Sequence, residues 1–440
     1  MLNPNRPINP SRSPVFYGWV ILGWATIGVI MSIPGQTMGV SVFSDHLLQA
    51  TGLSRVGLAN AYLVGTLASG LLLPFGGRLL DRFGARLTAM GASLALGVAL
   101  VTLSRIDHLA RSVSNSEWVM LAALAVAFSL LRFSGQGMLT LASRNMVPKW
   151  FERRRGLASG IFSVFVNLGF SFAPVALAAL IATAGGWREA WMGLALACGV
   201  GMTLGAWVFY RDNPEECGLR MDGAAAIDPR DGGETDATDP RRYTLRQALR
   251  TGSFWAVTLG ISIQSALVTG VTFHIVDLGA EAGLTQAQAV GLFPPIAVIS
   301  ILTGLLSGAA TDRFPLRPIV FLLLAGEALG YFSLTRLDEA PYKLATIVGL
   351  GIASGCFGSL ATVATAKLFG RLHLGAISSA QMSSLVLSSA LGPSFLALSR
   401  EHFGSYGPAL TAGSMLPFVV LAIALLSRDP GKTESEPGVW

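Results

Sequence analysis

Apolar stretches of about 20 residues alternate with short polar clusters from Tyr17 to Leu426. That length covers the roughly 30 Å hydrocarbon layer of a bilayer as a helix. Backbone groups in lipid must be satisfied within the segment, so the stretches are expected to be helices rather than open strands. The pattern predicts twelve spans: 16–42, 56–78, 87–105, 118–142, 156–183, 188–210, 253–279, 287–310, 317–335, 342–366, 375–399 and 406–427. Six lie on either side of a polar segment, 211–252, which cannot bury a core and reads as a linker. This gives a tail over 1–15, a six-helix half over 16–210, the linker, a second half over 253–427, and a tail over 428–440. Near the linker's end, Thr244 and Gln247 have capping-box spacing and predict a short surface helix before span seven. The expected fold class is therefore an all-α membrane protein of twelve transmembrane helices in two six-helix halves.

Composition agrees with this pattern. The chain is 52% hydrophobic and 13% charged, against about a quarter charged in a soluble protein. Its net charge of +6 does not point to nucleic acid, because the basic residues sit between apolar stretches rather than on one face. With both termini on one side, that side holds 23 Lys and Arg, the other holds seven, and Arg132 falls within a span. Basic residues are retained in the cytoplasm, so both termini are expected there, in a cell (inner) membrane. Cys198, Cys217 and Cys356 form no framework and read as unpaired. The first span is followed by no small-residue cleavage site and reads as a retained helix. No metal spacing, nucleophile arrangement or phosphate loop appears, so neither a cofactor nor catalysis is expected.

The chain also repeats itself. Gly77-x3-Asp81-Arg82-Phe83-Gly84-x-Arg86 recurs as Gly308-x3-Asp312-Arg313-Phe314-Pro315-x-Arg317, and Gly52-Leu53-Ser54 matches Gly283-Leu284-Thr285 at the same offset of 231 residues. Further on, Lys149-x-Phe151-x-Arg153 pairs with Lys367-x-Phe369-x-Arg371, and Gly156 to Pro174 pairs with Gly375 to Pro393. A unit of about half the chain has been duplicated.

Twelve spans, two halves and the Gly-x3-Asp-Arg loop after spans two and eight resemble the major facilitator superfamily. Arg132-x3-Gln136-Gly137 in span four is similar to that family's arginine motif. Gly160-x8-Gly169-x3-Ala173-Pro174 in span five resembles its antiporter glycine-proline pattern, with Ala173 in place of a glycine. Phe16-Tyr17-Gly18-Trp19, Trp150-Phe151-x2-Arg154-Arg155-Gly156 and Leu368-Phe369-Gly370 resemble the oxalate/formate antiporter and monocarboxylate porter group. That group places membrane cations in spans one, eight or eleven. Here those spans have no Lys or Arg in their interiors. The resemblance implies a secondary transporter working by alternating access, whose halves rock about a cavity lined by spans one, four, five, seven, ten and eleven. It also implies that Gly77, Asp81, Arg82, Gly84 and Arg86, with Gly308, Asp312, Arg313 and Arg317, latch the cytoplasmic side. Lacking a Gly84 equivalent, the second latch is expected to be the looser one.

Candidate site residues follow from polar groups inside apolar spans. Arg132 lies midway along span four, where an unpaired arginine costs at least about 2.5–3.5 kcal/mol. Gln136 and Thr140 continue its face at i+4 and i+8. Arg132 is either a cavity cation for an anion or a proton, or a structural arginine holding neighbouring carbonyls. Pro34-Gly35 interrupts span one just before Gln36. Asn167, Gln264 and Gln381 carry amides with more hydrogen-bond capacity than the serines around them. His274 and Asp277, at i and i+3, and Glu327 are candidates for proton coupling, weighed against interfacial and packing roles. The expected substrate is a small organic anion such as a monocarboxylate, with the bilayer and protons as partners and a monomer as the working form. An exporter of drugs or neutral metabolites is the alternative. A non-transporting sensor on the same scaffold is another, disfavoured because both latch acids persist, and a membrane enzyme has no paired catalytic groups to support it.

Overall fold

A computed structural model describes residues 3–223, 242–428 and 430. Among these residues every regular element is helical. Ten helices are long and apolar enough to cross a membrane. One of them, Arg55–Ser104, is two spans run together: Gly84 breaks it with φ 79° and ψ 169°. The expected spans two and three are thus joined by a single non-helical residue instead of an eight-residue loop. The first span is the shorter helix Tyr17–Met31, continued by a 3-10 turn over Ile33–Gly35 and a helix over Thr37–Ser41. The expected break at Pro34-Gly35 is present, since proline cannot donate to the turn before it. Counting these, twelve spans are accounted for.

Span four is longer than its hydrophobic pattern suggested. It runs through Glu117–Arg132, a π-helical segment Phe133–Leu139 and Thr140–Trp150, so Arg144 lies inside the helix and not in the loop after it. Span six carries a second π segment, Ala195–Gly201. The short helix before span seven forms over Leu245–Ala248. Thr244 accepts from the Gln247 N–H, and the Gln247 side chain accepts from the Thr244 N–H.

The chain divides into two compact units. The first runs to Glu152, resumes at Phe165 and takes in Ser378–Ser383. The second holds Arg153–Val164, the described chain after the linker up to Ile377, and the stretch from Ser384. Within the first, spans two and three pack on span four, and span one on the Thr140–Trp150 part of span four. Gly35 and Gly135 meet there so closely that a Cβ on Gly35 would run into the Leu131 carbonyl and the Gly135 Cα. Span one can approach span four at its own break only because both positions are glycine. In the second unit, span ten packs on spans eight and nine, and span twelve on spans seven and nine. A buried cluster of Leu267, Val271, Ile275, Leu334, Leu350 and Leu410 joins them.

Candidate functional site

The first unit gathers its polar groups around Arg132. That residue is 1% exposed. Its Nη1 donates to the Thr37 hydroxyl at 3.1 Å and to the Gly35 carbonyl at 3.4 Å. Its guanidinium carbon sits 5.1 Å from the centre of the Tyr62 ring, a cation–π contact, and the Tyr62 hydroxyl donates to Thr37 at 3.0 Å. The break in span one matters here, because it frees the Gly35 carbonyl. Arg132 Nε is enclosed without a partner, as is the Gln136 Oε1 one turn on. Gln36 turns toward the same place, its Nε2 donating to Ser32 at 3.1 Å and to Thr140 at 3.4 Å. Thr140 in turn donates to Ser32 at 3.0 Å and to the Gly135 carbonyl at 3.2 Å.

Four sequence-selected residues thus come together: Arg132, Gln36, Gln136 and, on the stripe, Thr140. Tyr62 and Thr37 complete the cluster and left no sign in the sequence. Among the described residues, no carboxylate is among the contacts of Arg132. Asn167 does not join the cluster; it is exposed. Gln381 is buried within the Ser378–Ser383 stretch, where Ser383 donates to the Gly70 carbonyl at 2.7 Å and Asn145 donates to Ser378 at 2.7 Å.

The second unit holds a separate polar chain. Gln264, 2% exposed, donates to Ser354 at 3.1 Å and accepts from the Tyr331 hydroxyl at 2.9 Å. Glu327 lies one turn before Tyr331, fully enclosed, and neither carboxyl oxygen has a partner among the described residues. His274 and Asp277 do not pair. His274 meets the Pro393 carbonyl at 3.1 Å and the Tyr406 hydroxyl at 3.4 Å, while Asp277 is exposed.

The loop motifs are more informative than their spacing suggested. Asp312 accepts the N–H groups of Gly156, at 2.5 Å, and Leu157, at 3.0 Å, and so caps the first turn of span five. Lys367 donates to the Thr311 and Phe314 carbonyls beside it. Arg86 is buried and donates through Nε to the Trp207 carbonyl at 3.0 Å. Its repeat mate Arg317 donates to the Ser427 carbonyl. The last arginine of each motif therefore holds the end of the last span of its half. Arg82 and Arg313 are exposed, with Arg82 lying over the Phe83 ring at 5.3 Å.

The first motif carries an addition. Gly84 lies in the left-handed region, and the Asp212 carboxylate fills the space where a Cβ would stand. It accepts from the N–H groups of Ala85 and Arg86. Arg211 is buried beside it, and that burial lowers its pKa. Arg211 and Arg86 together hold the carbonyls of Asn3, Pro4, Arg6 and Ile8. Burial also pushes the nearby Cys217 thiol up to about 12. Reasoning from the sequence missed Asp212, although Arg211-Asp212 after span six recurs as Arg428-Asp429 after span twelve.

Comparison with known proteins agrees with this architecture. The family model described as Major Facilitator Superfamily matches residues 17–393. An uncharacterized 38 kDa protein in the 23S RNA operon of Thermoproteus tenax is 25% identical over 411 residues, 92% of this chain and 91% of that one. Among solved structures, a proton:xylose symporter superposes with a TM-score of 0.68 at 14% identity, covering 93% of this chain and 95% of its own. The E. coli fucose:proton symporter gives 0.66 at 12% identity, covering 92% and 98%. The human organic anion transporter called TETRAN gives 0.61 at 14% identity, covering 94% and 100%. These likenesses establish the fold.

Proposed function

Because the chain belongs to the major facilitator superfamily and is a multi-span membrane transporter of small molecules, not an enzyme, we propose that its cargo is a small organic anion, a monocarboxylate being the leading choice, held by Arg132. One observation carries this reading: Arg132 is buried, and among the described residues its Nε has no partner and no carboxylate is among its contacts. An unpaired cation inside a membrane costs several kcal/mol, and an anionic cargo offsets that cost whenever it is bound. The Thr37 hydroxyl, the Tyr62 ring and the Gln136 amide supply a hydrogen-bonding and aromatic frame around the charge.

The same reading makes transport an alternating-access cycle of a monomer with both termini in the cytoplasm, coupled to protons. Glu327 is the favoured coupling acid, ahead of His274 and Asp277. A charged carboxylate enclosed without partners is costly, so its protonation state bears directly on the Tyr331–Gln264–Ser354 chain beside it. Uptake of labelled formate, lactate and oxalate into proteoliposomes, with and without an inward proton gradient, tests the assignment. Accumulation of at least one of them, enhanced by the gradient, is expected. No uptake and no counterflow of any of the three would sink it.

A further inference from the structure

Span four carries a second cation in line with the first. Arg132, Gln136, Thr140 and Arg144 follow one another at steps of four. In an unbroken α-helix, twelve residues at about 100° each would turn Arg144 roughly 120° away from Arg132. The π-helical segment Phe133–Leu139 lies between them. A π-bulge adds one residue to a turn and takes back about 100° of that drift. The two arginines then share a face to within about 20°, separated by about 16–18 Å of rise.

Arg144 also lacks what its neighbours have. Ser143 bonds the Tyr210 hydroxyl at 2.8 Å, and Asn145 donates to Ser378 at 2.7 Å. Arg144 is partly buried, its Nε is enclosed without a partner, and it makes no hydrogen bond or ion pair among the described residues. Two unneutralised cations on one helix face, with amide and hydroxyl groups between them, make a path with two places for one negative charge.

We propose that Arg144 is a second binding position for the carboxylate, on the Trp150 side of Arg132, which the anion occupies as it enters or leaves through the cytoplasmic end. This rests on the assignment of Arg132 as the anion site. Transport of labelled lactate is measured from each face, in right-side-out and inside-out vesicles, for wild type, Arg144→Gln, Arg144→Lys and Arg132→Gln. Loss of one charge-assisted contact raises KM roughly tenfold. The rise is expected for Arg144→Gln only from the cytoplasmic face, with Arg144→Lys recovering most of it. Monodisperse elution of each variant controls for folding. If Arg132→Gln abolishes transport and Arg144→Gln leaves both KM values unchanged, the second position is wrong and the first stands. The same assay is run with formate or oxalate if lactate is not carried; if Arg132→Gln is silent, or wild type moves none of the three, the parent assignment falls and this one with it. A defect of Arg144→Gln present with phosphatidylglycerol and absent in pure phosphatidylcholine would mean a lipid headgroup contact and overturn the proposal.

Discussion

The carboxylate of Asp312 accepts the backbone N–H of Gly156 at 2.5 Å. The motif acid after span eight thus acts as the cap of span five, satisfying donors that a helix start leaves open. Asp312→Asn keeps the shape and removes the charge, so it should cost about 1 kcal/mol of stability. Gly156→Ala should cost more, about 1–3 kcal/mol, because its Cβ would run into the Gly308 carbonyl and the Thr311 hydroxyl. Melting of the detergent-solubilised protein, followed by size-exclusion fluorescence, ranks the two. Gly156→Ala melting at the wild-type temperature would contradict the contact.

At the first motif the backbone itself is special. Gly84 has φ 79°, and Asp212 lies against it. Gly84→Ala should therefore destabilise by more than about 1–2 kcal/mol, through the left-handed backbone and the collision with Asp212. Asp212→Ala relieves the collision, so the double variant should lose less than the sum of the single ones. Strict additivity in the same melting assay would show that the two residues do not interact.

Beyond the spans, Asp107 provides a pH prediction. Burial pushes its carboxyl up, but hydrogen bonds and charge from Arg188, with His108 adding, outweigh this and hold it below the usual carboxylate range. Arg188 Nη2 lies 2.9 Å from Asp107 Oδ2. A folded-state pKa below the unfolded one contributes stability at neutral pH, and that stability disappears as pH falls through the folded value. Wild type should therefore melt above Asp107→Asn at pH 6, and the gap should begin to shrink as pH falls below about 4. A gap that stays constant from pH 6 down to the lowest pH at which the protein remains folded would rule out the ion pair as its source.

If Glu327 is the coupling acid as proposed, its substitution separates coupling from translocation. In Glu327→Gln the enclosed group has lost its titratable proton at nearly constant volume. Lactate counterflow should persist while stimulation by a proton gradient is lost. A variant that still accumulates lactate in response to the gradient would assign coupling elsewhere, and His274→Gln would be examined next.

Much of this was readable in the sequence because lipid leaves the chain few choices. Apolar length gave the spans, Pro34-Gly35 gave the break in span one, and Thr244 with Gln247 gave the cap of a four-residue helix. The candidate site was legible in part. Arg132, Gln36 and Gln136 gather where the break in span one frees backbone and hydroxyl partners, whereas Asn167 and Asp277 are exposed and Glu327 is enclosed without a partner among the described residues. Tyr62 and Thr37 were invisible, because their partners lie on spans whose packing no local pattern encodes. The i, i+3 spacing of His274 and Asp277 suggested a pair. Span seven instead packs on span twelve, and the imidazole turns to Tyr406. Arg86 and Arg317 bond backbone carbonyls, which any residue can offer, so their destinations leave no trace in side-chain identity. The π segment at Phe133–Leu139 is equally silent, yet it sets which residues of span four share a face.

Arg132 is proposed as the seat of a negatively charged cargo. The most direct test is equilibrium binding of radiolabelled lactate to the purified protein at neutral pH, for wild type, Arg132→Lys and Arg132→Gln. Saturable binding by wild type, weakened by roughly tenfold or more in Arg132→Lys and lost in Arg132→Gln, is the predicted result. Equal binding by wild type and a well-folded Arg132→Gln would contradict it.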